Sequence, residues 1–171
     1  MQESRPSLIH VISKGCGMYA APTLQEQGLK KRYQTTRAAE LETLAGLRDY
    51  IDSVCRENTG IDDAFIYDMK LAVDEACTNI ITHGYAGMDP GSVILALELG
   101  DDQVRMTITD FGHPFEPSEA PVPDVEAALE DRPVGGFGLY FIYQTMDEVD
   151  YQTNEDGNCL ILTKRLAPIS K

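Results

Sequence analysis

Between Asp62 and Asp110 the apolar residues change their period once, and that change limits the folds open to the chain. Ile66, Met69, Val73, Ala76 and Ile80 recur at helical spacing behind Asp62, a residue type suited to capping a helix N-terminus. Gly84 and Gly87 end the pattern, and two β-rich runs follow, Ser92–Leu99 and Gln103–Asp110, separated by Gly100-Asp101-Asp102. Two such runs around a short turn read as an antiparallel hairpin.

The flanking segments extend this core. Upstream, residues 29–35 (LKKRYQT) read as a short edge strand, and Arg37 to Glu57 as a helix carrying Leu41, Leu44, Leu47, Ile51 and Val54, stopped by Asn58 and Gly60. Downstream, Phe111 to Val134 holds five prolines, so a long loop is expected, with a helical turn around Val125 to Glu130. Gly135, Gly136 and Gly138 then open a third helix over residues 139–149. Two strands follow, about Glu148 to Thr153 and Asn158 to Leu166, turning at Asn154-Glu155-Asp156-Gly157. The order β-α-α-β-β-loop-α-β-β predicts an α+β two-layer sandwich, with one mixed, mostly antiparallel sheet and helices on one face. That domain covers residues 29–167, behind an extension over residues 1–28 in which no period persists and before a tail at 168–171.

Length and charge narrow the function classes. A chain of 171 residues holds one core of ordinary size. Twenty-eight acidic against fourteen basic side chains leave a net charge of −14, which repels phosphate backbones and anionic lipid. No direct nucleic-acid or membrane partner is expected. Cys16, Cys55, Cys77 and Cys159 are far apart and form no metal-ligand spacing, so reduced thiols and a cytoplasmic location are expected.

Three segments carry chemistry. In residues 71–84 (LAVDEACTNIITHG), Glu75, Asn79 and His83 fall on one helical ridge, with the apolar stripe on another face. A carboxylate one turn from a carboxamide can serve a phosphate-bound Mg²⁺, the amide oxygen ligating and the carboxylate accepting a proton; the same ridge reads more simply as a solvated helix face. Asp110, at the end of a buried strand and followed by Gly112, suits an acceptor for the amino group of a flat base, and equally an ordinary turn residue. Residues 135–139 (GGFGL) can hold phosphate oxygens on unpaired N–H groups at a helix start, or form a plain turn. They match neither the Walker A nor the dinucleotide-binding glycine pattern.

In this order and separation the three segments resemble the N, G1 and G2 boxes of the GHKL (Bergerat) ATPase superfamily, with its histidine-kinase-like ATPase fold. The closest likeness is to the small anti-sigma-factor serine kinases of the RsbW type. The likeness rests on LAVDEACTNIITHGY, DFGHPFEP and GGFGLYFIYQTMDEVDY and spans roughly residues 29–166. It implies that Glu75 is the general base and that Asn79 holds Mg²⁺. Asp110 would bind the adenine amino group, and Gly112 would let the base sit against the backbone. Gly136 and Gly138 would line the phosphates, with His113 to Val134 as an ATP lid. Arg132 stands as the candidate for the γ-phosphate, or as a solvated arginine, and Thr163 on the last strand as a support of the adenine site.

The resemblance therefore implies an ATP- and Mg²⁺-dependent serine/threonine protein kinase in a partner-switching pathway. Its substrate would be a small anti-sigma-factor antagonist domain, with a sigma factor or other response regulator as a competing partner, and a homodimer as its assembly. The alternative is a nucleotide-dependent protein-binding switch without significant kinase activity.

Overall fold

On the strand Gln103–Asp110, Val104, Met106, Ile108 and Asp110 are buried and the residues between them half-exposed, a strict two-residue alternation that assigns one face to the core. The computed structural model describes residues 29–58, 60–114 and 137–167. Within them the elements follow the expected order: β1 (Leu29–Ala38), α1 (Leu44–Arg56), α2 (Asp63–Asn79), β2 (Ser92–Gly100), β3 (Gln103–Asp110), α3 (Phe137–Thr145), β4 (Glu148–Asn154) and β5 (Gly157–Arg165). The sheet runs β1-β2-β3-β5-β4, and it is antiparallel at all four pairings where a mixed, mostly antiparallel sheet was expected. Residues 1–28, residues 115–136 with the helical turn expected there, and residues 168–171 lie outside the described residues.

α2 touches both α1 and α3 and forms the middle of the helical layer. Its Met69, Ala72, Val73 and Cys77 are fully buried in one cluster with Leu47 and Ile51 of α1, Ile142 of α3, and Leu95, Leu97, Met106, Ile108 and Leu162 of the sheet. Each large side chain so enclosed contributes about 1.5–3 kcal/mol relative to exposure. Ion pairs Arg48–Asp74, Lys70–Asp52 and Arg56–Asp63 tie α1 to α2 at the surface, where such pairs add little.

Three boundaries differ from expectation. β1 runs to Ala38, because its pairing with β2 continues through Arg37 and Ala38, and Ala39 then donates to Gly91 O; α1 therefore begins at Leu44, behind a short 3₁₀ turn. α2 ends at Asn79 and passes into a π-helical turn, Ile80–Gly84, in which Tyr85 N–H donates to Ile80 O. α3 stops at Thr145, and Asp147 N–H donates to Thr163 O as β4 begins.

Cys55 and Cys77 are free and buried, their thiols pushed by burial up to about 11 and about 12. They remain protonated core fillers. Cys159 is disulfide-bonded, which corrects the expectation of a reduced thiol on β5.

Asp62 caps α2 as its sequence position predicts, accepting from Phe65 N–H at 2.8 Å. Asp62→Ala leaves that donor without its partner and should lower unfolding free energy by about 1 kcal/mol in urea titrations, with an unchanged m-value.

Candidate functional site

The end of α2, the end of β3 and the start of α3 converge on one pocket. Ala76, Asn79, Ile80 and Gly84 come from α2 and its π-turn, Asp110 and His113 from β3 and beyond, Leu139 and Ile142 from α3, and Tyr151 and Leu160 from β4 and β5. The pocket holds about 470 Å³ of space, part of it open to solvent, and its lining is mostly apolar. Such a cleft suits a flat ligand, gripped on its faces by aliphatic side chains and on its edge by few polar groups.

Backbone contact builds it. The π-turn brings Gly84 O to His113 N–H at 2.7 Å, so the chain leaving β3 is pinned to the end of α2. A Cβ on Gly112 would lie 2.5 Å from Gly84 O and 2.6 Å from Gly84 C, closer than real Cβ atoms approach. Glycine at 112 thus serves a backbone-to-backbone contact with α2, a different use from the close approach of a ligand read from the sequence. The Tyr85 hydroxyl reinforces the junction, donating to Ser92 O at 2.9 Å and accepting from Phe111 N–H at 3.0 Å.

Asp110 is 5% exposed. Its Oδ1 accepts from Gly112 N–H and from Asn158 Nδ2, each at 2.9 Å. Burial raises its carboxyl above the usual carboxylate range, and the Asn158 and Gly112 donors oppose that rise. Asn158, 2% exposed, also donates to Gly112 O at 3.1 Å.

Glu75 sits one turn before Asn79 on α2, against α3, where a Cβ on Gly138 would collide with its carboxylate. Gly138 is thus the place at which α3 makes room for Glu75. Burial first, and the Asp74 charge second, raise the Glu75 carboxyl. It is a stronger base than an exposed glutamate.

Of the sequence-predicted residues, Asn79 and Asp110 are in the pocket lining, and Gly112 and the Glu75–Gly138 contact are beside it. Thr163 is not. On β5, Asn158, Leu160, Leu162 and Lys164 pair with Asp110, Ile108, Met106 and Val104 on the helical face, and Thr163 pairs with Arg105 and Glu148 on the other. A one-residue offset changes faces, and five residues put it about 17 Å along the strand. The support assigned to Thr163 falls instead to Asn158. One signal pointed there: Asn is unfavourable in strands, so an Asn opening one directly after a turn glycine asks for a partner. Arg132, Gly136 and the lid beyond Pro114 lie outside the described residues.

Among the described residues no three His, Cys, Asp or Glu side chains cluster as a metal site, and no helix is long and apolar enough to cross a membrane.

Comparison with known proteins identifies the domain. The profile of the histidine kinase-like ATPase domain matches residues 37–164. Serine-protein kinase RsbW of Bacillus cereus (strain AH187) is 32% identical over 126 residues, 71% of this chain and 72% of that protein. Serine/threonine-protein kinase BtrW of Bordetella bronchiseptica is 32% identical over 104 residues, 61% of this chain and 73% of that one. Among solved structures, that of the RsbU and RsbW domains of Rv1364c from Mycobacterium tuberculosis superposes with a TM-score of 0.58 at 22% identity. It covers 80% of this chain and 32% of that chain, a likeness of fold.

The electrostatics of Asp110 generate a stability test. A carboxyl whose pKa is raised on folding favours the folded state at low pH, and that contribution is lost as pH rises through the folded value. Asp110→Asn removes the buried charge and keeps an oxygen for the Asn158 and Gly112 donors. The stability of the variant relative to wild type should therefore increase from about pH 4 to about pH 7 in urea unfolding.

Proposed function

The chain belongs to the histidine kinase-like ATPase domain family, and from that premise we propose that it is an ATP-dependent serine/threonine protein kinase of the RsbW type, acting as an anti-sigma regulator by partner switching. The observation that carries this reading is the convergence of Asn79 and Asp110 on one pocket, with Glu75 one helical turn before Asn79 and its carboxylate seated against Gly138.

In this reading Asp110 accepts from the exocyclic amino group of adenine, and Leu139, Ile142 and Leu160 flank the ring. Guanine presents a carbonyl at that position and meets a repelling oxygen. The first turn of α3, with Gly136 before it, offers backbone N–H groups to the phosphates. Arg132 meets the γ-phosphate.

Mg²⁺ retains water and phosphate ligands and takes one or two protein oxygens. A pocket with a single carboxamide, Asn79, and no cluster of acidic ligands among the described residues fits an ion that arrives on the nucleotide. Bound there, it supplies charge neutralisation on the phosphate oxygens.

Glu75 takes the proton of a substrate serine hydroxyl as its oxygen bonds to the γ-phosphorus and the bond from that phosphorus to the β,γ-bridging oxygen breaks, leaving ADP. Its raised carboxyl moves it toward the operating pH, which favours general-base work. The substrate is a small antagonist domain, and a sigma factor or comparable regulator competes with it for the same protein. Phosphorylation releases the antagonist and frees the kinase for its other partner. A homodimer is the proposed assembly.

Glu75→Gln keeps side-chain size and helix position and removes the base. Phosphoryl transfer to the antagonist should fall about 10²–10⁴-fold, while calorimetry shows ATP affinity near wild type. Asp110→Asn should instead place an N–H donor before the adenine amino group and strongly weaken ATP binding, with transfer lost along with the nucleotide. A wild-type chain that binds ATP and antagonist without phosphate transfer, indistinguishable from Glu75→Gln, would instead identify a nucleotide-dependent binding switch.

A further inference from the structure

One row of polar side chains crosses the sheet at the pocket end, and the proposed catalytic roles leave most of it unused. Asp110 of β3 is in register with Asn158 of β5, and Asn158 with Thr153 of β4. All three lie on the face that packs against the helices, beside Ile108, Met106, Leu160 and Leu162 of the core. The Thr153 hydroxyl donates to Asn158 Oδ1 at 2.7 Å. Asn158 Nδ2 in turn donates to Asp110 Oδ1 and Gly112 O. The order of donors is forced: a flipped Asn158 amide would set its oxygen against the Asp110 carboxylate and the Gly112 carbonyl, three acceptors facing one another.

We infer that Asn158 and Thr153 are positioning residues, a hydrogen-bond relay across three strands that holds Asp110 as an acceptor and thereby sets which nucleobase the pocket takes. The inference rests on the nucleotide reading of the same site and names the parts that give it selectivity. With Gly112 N–H and Asn158 Nδ2 on Oδ1, both rotation of the carboxylate and protonation of that oxygen are disfavoured, and Oδ2 is left for the ligand. Thr153 acts only through Asn158. Without its hydroxyl Asn158 Oδ1 loses its donor and the amide is held from one side only, so its hydrogen bond to Asp110 loosens.

The consequence concerns 6-amino against 6-oxo purines. An ionised Asp110 accepts from the amino group of adenine and repels the carbonyl of hypoxanthine. A protonated Asp110 donates to that carbonyl, so weakening the relay reduces discrimination, and more so at lower pH. Burial raises this carboxyl, and the Asn158 side chain, with the Gly112 N–H, opposes the rise. Other titratable groups facing Asp110 are Cys77 from α2, whose thiol is pushed up to about 12, Tyr85 beyond the π-turn, His113 after β3 and Tyr151 of β4. Variants of Thr153 and Asn158 retain all four, so their contributions cancel in comparison with wild type.

The test measures ATP and ITP affinity by calorimetry on the full chain, between about pH 6 and pH 8, for wild type, Thr153→Val, Thr153→Ser and Asn158→Leu. Asn158→Leu should lose about tenfold or more in ATP affinity, lose more at the acidic end, and show a smaller preference for ATP over ITP. Thr153→Val should move the same way by a smaller factor, and Thr153→Ser, which keeps the hydroxyl, should match wild type. If affinity falls equally for both nucleotides at every pH, or Thr153→Val matches wild type, the relay is overturned and the row is structural. Should Asn158→Leu fail to fold, the Thr153 pair decides alone. Asp110→Asn distinguishes the two levels: unchanged ATP affinity there removes the nucleotide reading itself, and lost affinity there with unaltered Thr153→Val selectivity removes the relay only.

Discussion

Two glycine backbones, Gly84 at the end of the π-turn and Gly112 just past β3, meet with no side chain between them. The hydrogen bond from His113 N–H to Gly84 O closes the contact. Everything on the pocket side of the molecule depends on this approach. It fixes the distance between the helix that carries Glu75 and Asn79 and the strand that ends in Asp110. Any side chain at 112 would have to move one backbone or the other, and neither can yield without disturbing a layer of the core. The π-turn is part of the same arrangement, since its wider winding delivers Gly84 O to the chain leaving β3.

Stability and chemistry are spatially separated. The centre of the sheet is closed by Leu95, Leu97, Met106, Ile108 and Leu162 against α1, α2 and α3, with no polar side chain required. At one end the same face carries Asp110, Asn158 and Thr153, where burial raises a carboxyl and its neighbours restrain it. A buried acid costs folding free energy unless its oxygens are occupied. Two N–H donors occupy Oδ1 of Asp110, and the residue lines the pocket. The domain thus holds a buried acceptor at the pocket on a frame stabilised elsewhere, as the proposed binding of an amino group requires.

Helix α3 shows a second compromise. Gly138 lies in its first turn, where glycine weakens a helix, and it stands there because the Glu75 carboxylate fills the space a Cβ would take. The raised carboxyl of Glu75 follows from that enclosure and from Asp74 beside it, which is itself held by Arg48 of α1. The proposed base is thereby set by three helices.

Much of this was legible in the residues. Period and turn chemistry placed the elements in order, the cap at Asp62, the hairpin between β2 and β3, and the ridge of Glu75 and Asn79, because each depends on neighbours within a few positions. Boundaries set by long-range pairing were not legible: β1 gained Arg37 and Ala38 from its register with β2. Nor was the partner of Asp110. Thr163 and Asn158 lie on the same strand, and only the register of β5 against β3, together with the two-residue alternation of faces, decides that Asn158 points to the pocket and Thr163 away from it. By itself the sequence determined which residue types were available and in what local conformation, since those follow from backbone preference and short-range periodicity. Tertiary structure alone decided which of them touch, because Gly84 with Gly112, Glu75 with Gly138, and Asp110 with Asn158 are contacts between segments that meet only when the layers close.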